Sequence, residues 1–81
     1  MTVREVVIRK IEKNLFVSVQ ITEESNLYTD LGYDSLSFIT LLQEIEDTYF
    51  IIFNIAEMEM CLEVGYLIAA VENKLKETVY D

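Results

Sequence analysis

The chain has 81 residues, 52% of them hydrophobic and 26% charged, with a net charge of −9. A chain of that size forms one core that buries only about 60–65% of its unfolded surface, and residues 1–81 are read as a single domain. There is no histidine and one cysteine, Cys61, which excludes an imidazole base near neutral pH, a Ser-His-Asp triad, an internal disulfide and a structural zinc site.

Two glycines and no proline favour helices over hairpins. Thr2 and Glu5 stand at capping-box spacing, and Val3, Val7, Ile11 and Leu15 then recur every four residues. That spacing predicts an amphipathic helix over about residues 3–14, with Arg9, Lys10 and Lys13 near the end where positive charge suits the helix dipole. In the next segment Val17, Val19 and Ile21 alternate with Ser18, Gln20 and Thr22, the period of a strand. No second alternating segment offers it a partner, so residues 16–33 are read as a long loop pinned by Leu27 and Leu31. A loop of that length in a small domain usually signals function.

The second helix is expected from Ser35, with Asp34 as its N-cap and Phe38, Leu41, Leu42, Ile45 and Tyr49 as its apolar stripe, Leu36 and Ile39 adjoining. The run Tyr49-Phe50-Ile51-Ile52-Phe53 is expected to turn through the core, since exposed it is an aggregation hazard. Asn54 and Glu57 repeat the capping-box spacing and open a short third helix over about 55–61. Val64, Leu67, Ile68, Val71, Leu75 and Val79 mark the last helix. The fold class is therefore all-α: a small four-helix bundle, three longer helices and one short, with a long loop between helices 1 and 2. Cys61, between Met60 and Leu62, is expected in the core rather than as a reactive thiol.

All six basic residues lie near the two ends. The interval from Asn14 to Asn73 carries −11 and the flanking segments +2, which together give the net −9. Such a field repels nucleic acid and anionic lipid and attracts basic protein surfaces, or else simply solvates the domain. Asp30 and Asp34 flank Gly32, but the carboxylate density of a calcium loop is missing. No apolar run approaches a membrane span, and charges from Arg4 to Lys13 interrupt every candidate signal segment. With one unpaired cysteine, a reducing, cytoplasmic setting is expected. No catalytic residue and no metal site is expected, and the chain is read as a non-enzyme.

Leu31-Gly32-Tyr33-Asp34-Ser35-Leu36 resembles the Gly-x-Asp-Ser-Leu signature of acyl carrier proteins. The likeness extends to Ile21–Leu27, which resembles the family's approach to the signature, to Leu41–Tyr49, which is similar to its second helix, and from Val64 onwards to its fourth. Serine is common at helix starts for its capping value alone, so the weight rests on the match of length, acidity, helix number and position together. The resemblance implies that Ser35, flanked by Asp34 and Leu36, receives 4′-phosphopantetheine from coenzyme A through a phosphopantetheinyl transferase. It implies that Asp34 helps hold the metal of that transfer complex, and that the protein is a carrier of acyl thioesters.

Further partners implied are acyl-loading, condensing and modifying enzymes whose basic patches meet Glu44, Glu46 and Asp47 on the second helix. The carrier is expected to be monomeric and to serve fatty-acid or polyketide-type synthesis, with the acyl chain allowed between the helices. Thr40 stands where the commonest fatty-acid type usually has an acidic residue, and Gln43 adds no charge. Tyr33 stands where peptidyl carriers often have a second glycine. A peptidyl or aminoacyl carrier is the alternative within the class, and an unmodified acidic interaction module the alternative outside it.

Overall fold

Reciprocal hydrogen bonds fix where the chain turns helical. In the computed structural model, which describes residues 1–15 and 18–77, the Glu5 N–H donates to Thr2 Oγ1 at 3.1 Å and the Thr2 N–H to Glu5 Oε1 at 2.9 Å. This capping box opens α1, Val3–Lys13. Asp34 opens α2, Ser35–Tyr49. Asn54 and Glu57 exchange bonds of 2.8 Å in each direction and open the short α3, Ile55–Met60. The last helix, α4, spans Val64–Glu77. Val17 and Val79, assigned above to an alternating segment and to a helix stripe, lie outside the described residues.

The core forms where the stripes meet. α1 lies against both α2 and α4, and α3 packs on α4. Val7 and Ile11 of α1, Leu41 and Ile45 of α2, and Val64, Leu67 and Val71 of α4 are wholly shielded from solvent. Each such side chain stabilises the bundle by about 1.5–3 kcal/mol through its removal from water. Leu75 is partly buried at the edge of the same cluster.

Residues 18–33, between α1 and α2, form no helix or strand, as the missing strand partner predicts, and the part from Glu23 to Leu27 is tied down. The Leu27 N–H donates to the Leu62 carbonyl at 2.8 Å, the Val64 N–H to Ser25 at 3.0 Å and the Gly65 N–H to Glu23 at 2.9 Å. These bonds lace the loop to the turn between α3 and α4 through a single antiparallel bridge, Asn26 to Glu63. Gly65 suits this close approach, because a Cβ would sit 3.0 Å from the Glu23 carbonyl oxygen, tighter than an ordinary contact. Leu27, Leu31 and Tyr33 drop from the loop into the core.

Two expectations are corrected. The run from Tyr49 to Phe53 does not pass through the core as a block: Ile51 and Phe53 are buried, while Phe50 and Ile52 are exposed. The reason is the end of α2. Phe50 closes the helix in the left-handed conformation (φ 56°, ψ 47°), and the extended residues beyond it alternate sides as a strand does. Ile39, assigned to the buried side of α2, is half exposed.

Candidate functional site

Ser35 is the first residue of α2 and its side chain is exposed. Its position is set by the residues before it. Gly32 adopts φ +75°, a conformation that glycine reaches without steric cost. Tyr33 is then driven inward, its N–H donating to the Leu27 carbonyl and its hydroxyl to the Ile11 carbonyl, each at 2.8 Å. That second bond joins the start of α2 to α1. Burial pushes the Tyr33 phenol above its ordinary range, so it stays a neutral donor. In the sequence Tyr33 stands out only as a glycine replacement, because its anchor, Ile11, lies twenty-two positions away.

Asp34 follows in extended conformation and caps the helix, its Oδ1 accepting from the Ser37 N–H at 2.8 Å. The Ser37 backbone bond, first among the causes, holds its carboxyl below the usual carboxylate range. Beneath the first turn, Phe38 meets Tyr28 edge to face, 5.9 Å between ring centres. Leu36 projects into solvent beside Ser35 at 74% exposure. The outcome is a serine hydroxyl presented outward on a turn held from below by aromatic packing and from behind by a buried phenol. Among the described residues no side chain bonds the Ser35 hydroxyl and no cluster of three or more His, Cys, Asp or Glu approaches metal-binding geometry. The Ser35 hydroxyl is open to solvent.

The three carboxylates proposed as a recognition face are not equivalent. Glu44 is half buried, pairs with the Lys13 ammonium at 3.3 Å, and keeps its Oε1 shielded with no partner among the described residues. Glu46 accepts from the Phe53 N–H at 2.8 Å and so closes the turn after α2. Of the three, Asp47 is the exposed one. An i-to-i+3 spacing reveals which residues share a helix face, but not that a lysine of α1 or an N–H past the helix end will reach two of them. Cys61 is wholly buried, and that burial pushes its thiol up to about 12.

Residues 3–71 match the family described as a phosphopantetheine attachment site. An acyl carrier protein of Thermotoga maritima is 36% identical over 56 residues, covering 69% of this chain and 69% of that protein. An acyl carrier protein of an Exiguobacterium species is 33% identical over 73 residues, covering 90% of this chain and 89% of that protein.

Proposed function

The chain belongs to the phosphopantetheine-bearing family of acyl carrier proteins, and on that premise we propose that Ser35 is the residue to which its 4′-phosphopantetheine is attached. When bound, the group supplies a terminal thiol that carries acyl cargo as a thioester, and the polypeptide presents it. The observation that carries the assignment to Ser35 is an exposed hydroxyl at the first position of α2, within the matched residues, held by Asp34 on one side and Leu36 on the other.

The residues around Ser35 fit a phosphodiester, since the serine is exposed and opens a helix. A helix start is ordinarily an anion site. Here the Asp34 carboxylate takes the Ser37 N–H, one of the free N–H groups of the first turn. The other first-turn N–H groups and the positive end of the helix dipole would favour the negative charge of a phosphate on Ser35. Leu36, apolar and exposed, gives a transferase or a loading enzyme a contact adjacent to the serine.

The protein acts as a single carrier unit over residues 1–81, monomeric and cytoplasmic, loaded by a phosphopantetheinyl transferase and then by enzymes of fatty-acid or polyketide-type synthesis. Among the described residues, no helix is long and apolar enough to cross a membrane. With Glu44 and Glu46 engaged internally, Asp47 is the carboxylate on α2 best able to meet a basic partner surface. An exposed pair of that kind is worth about 0–1 kcal/mol, which suits brief visits to several enzymes. The proposal is tested by intact-protein mass after incubation with coenzyme A and a broad-specificity transferase. The expected result is a gain of one phosphopantetheine in the parent protein and none in Ser35→Ala. Loading of the holo-protein by an adenylating enzyme with amino acids, to the exclusion of acyl donors, would replace the acyl reading with the aminoacyl one.

A further inference from the structure

Phe50 and Ile52 expose 90% and 80% of their surface at the end of α2, and Ile55 follows at 76%. Phe50 is costly in a second way. It ends α2 in the left-handed region, where glycine or asparagine is usual and a β-carbon is disfavoured. An aromatic ring has thus been placed in water on a strained backbone, and neither packing nor helix termination explains it.

Phe50, Ile51 and Ile52 form an open depression of about 280 Å³ together with Lys74 and Glu77 of α4, a volume suited to one or two apolar side chains. Its charge is one-sided. Lys74 is committed to Glu57 at 2.8 Å and to the Phe53 ring, 5.8 Å from its centre. Glu77 has no ion-pair partner among the described residues, and the exposed Asp47 lies about one turn before Phe50 on α2. Lys76 is not among the walls. What remains is an apolar floor whose one carboxylate wall, Glu77, has no ion-pair partner among the described residues, with Asp47 nearby on α2.

A second copy of this chain is a poor occupant. It carries the same net −9, and the three exposed side chains offer only about half of the roughly 800 Å² that one side of a stable dimer buries. We propose that the depression is a docking site for a protein partner presenting an aliphatic or aromatic side chain beside a lysine or arginine. Fifteen residues of α2 place it about 22 Å along the helix axis from Ser35. A partner docked there grips the carrier while Ser35 remains accessible, and the inference does not require Ser35 to be modified.

The test is a selection of displayed random peptides on the full chain, counter-selected on a Phe50→Asp, Ile52→Glu double variant. Enriched peptides should carry an apolar residue next to lysine or arginine. One such synthetic peptide should shift the amide resonances of Phe50, Ile52, Lys74 and Glu77, and lose roughly tenfold or more in affinity on the double variant. Saturating peptide should leave transferase modification of Ser35 unchanged. Phe50→Asn separates binding from folding: its melting temperature should hold or rise while peptide affinity falls, and a lower melting temperature would make the ring structural. No enrichment, enrichment of acidic or purely apolar peptides, shifts centred on Leu36 and Ile39, self-association lost in the double variant, or binding only after removal of residues 78–81 would each overturn the proposal.

Discussion

The two ends of α2 are built on opposite terms. At its start every unusual feature is supported: Asp34 caps the helix, Tyr33 anchors to α1, and the ring pair Tyr28–Phe38 lies underneath. At its end Phe50 takes a disfavoured backbone conformation with its ring in water, on a turn closed by the Phe50 and Ile51 N–H groups to the Glu46 carbonyl and by the Phe53 N–H to the Glu46 carboxylate. On the proposal that Ser35 carries the arm, the start offers one exposed hydroxyl on a turn held from several sides. The end presents a broad apolar surface, where position matters less than area. Rigidity and exposure have been assigned to different ends of one helix.

That contrast can be broken most sharply at Ser35. Ser35→Ala should abolish arm attachment by intact mass while leaving the thermal midpoint unchanged, since the side chain is exposed and only its reactivity is lost. Tyr33→Ala should come next, costing about 3–5 kcal/mol in urea unfolding because a buried ring leaves a cavity. Tyr33→Phe keeps the ring and should cost about 1 kcal/mol for the bond to Ile11. Modification of Ser35 should slow in both if the phenol positions the turn, and an unchanged rate would confine Tyr33 to stability.

Gly65→Ala tests how firmly the loop must approach α4. A Cβ 3.0 Å from the Glu23 carbonyl should cost about 1–3 kcal/mol. At the far end the sign reverses. Phe50→Gly should stabilise the fold by about 1 kcal/mol by relieving the left-handed strain, a change visible as a higher denaturation midpoint. A loss there would show that the exposed ring packs in solution.

The last test is of pH dependence. Glu5, Asp34 and Glu57 are held below their ordinary values, Glu5 by the Thr2 backbone, Asp34 by the Ser37 backbone and Glu57 by Lys74. Their contributions are present above the ordinary carboxylate range and lost as pH falls through the lowered values. Cys61 moves the other way, from 9.0 to about 12, through burial. Its contribution is complete below 9 and lost as pH rises towards 12. Unfolding free energy measured from pH 3 to 11 should therefore plateau between about 5 and 9. Tyr33, also raised by burial, steepens the alkaline side.

Much of this architecture was legible in the chain because its signals are local. Thr2 with Glu5, and Asn54 with Glu57, announce helix starts that the hydrogen bonds then realise, and the stripes of α1 and α4 follow the period of the helix. Ser35 at the first position of α2 was readable for the same reason. What was not legible depends on partners far apart in sequence. Glu44 meets Lys13 across thirty-one positions, Tyr33 meets Ile11 across twenty-two, and Gly65 touches Glu23 across forty-two. The fate of Phe50 and Ile52 turned on one residue adopting the left-handed conformation, which no hydrophobic pattern encodes. Ile39 was misplaced because the apolar stripe of α2 is wider than the face that α1 covers.

The buried cysteine has a consequence for cargo. A thioester is vulnerable to any thiolate within reach, and a carrier whose own backbone held one would strip its load by exchange between sulfurs. With burial pushing its thiol up to about 12, Cys61 stays protonated at neutral pH, and the folded chain shields it from solvent. Transacylation onto the polypeptide is thereby closed, and a maleimide applied to the native holo-protein should count swinging arms and nothing else.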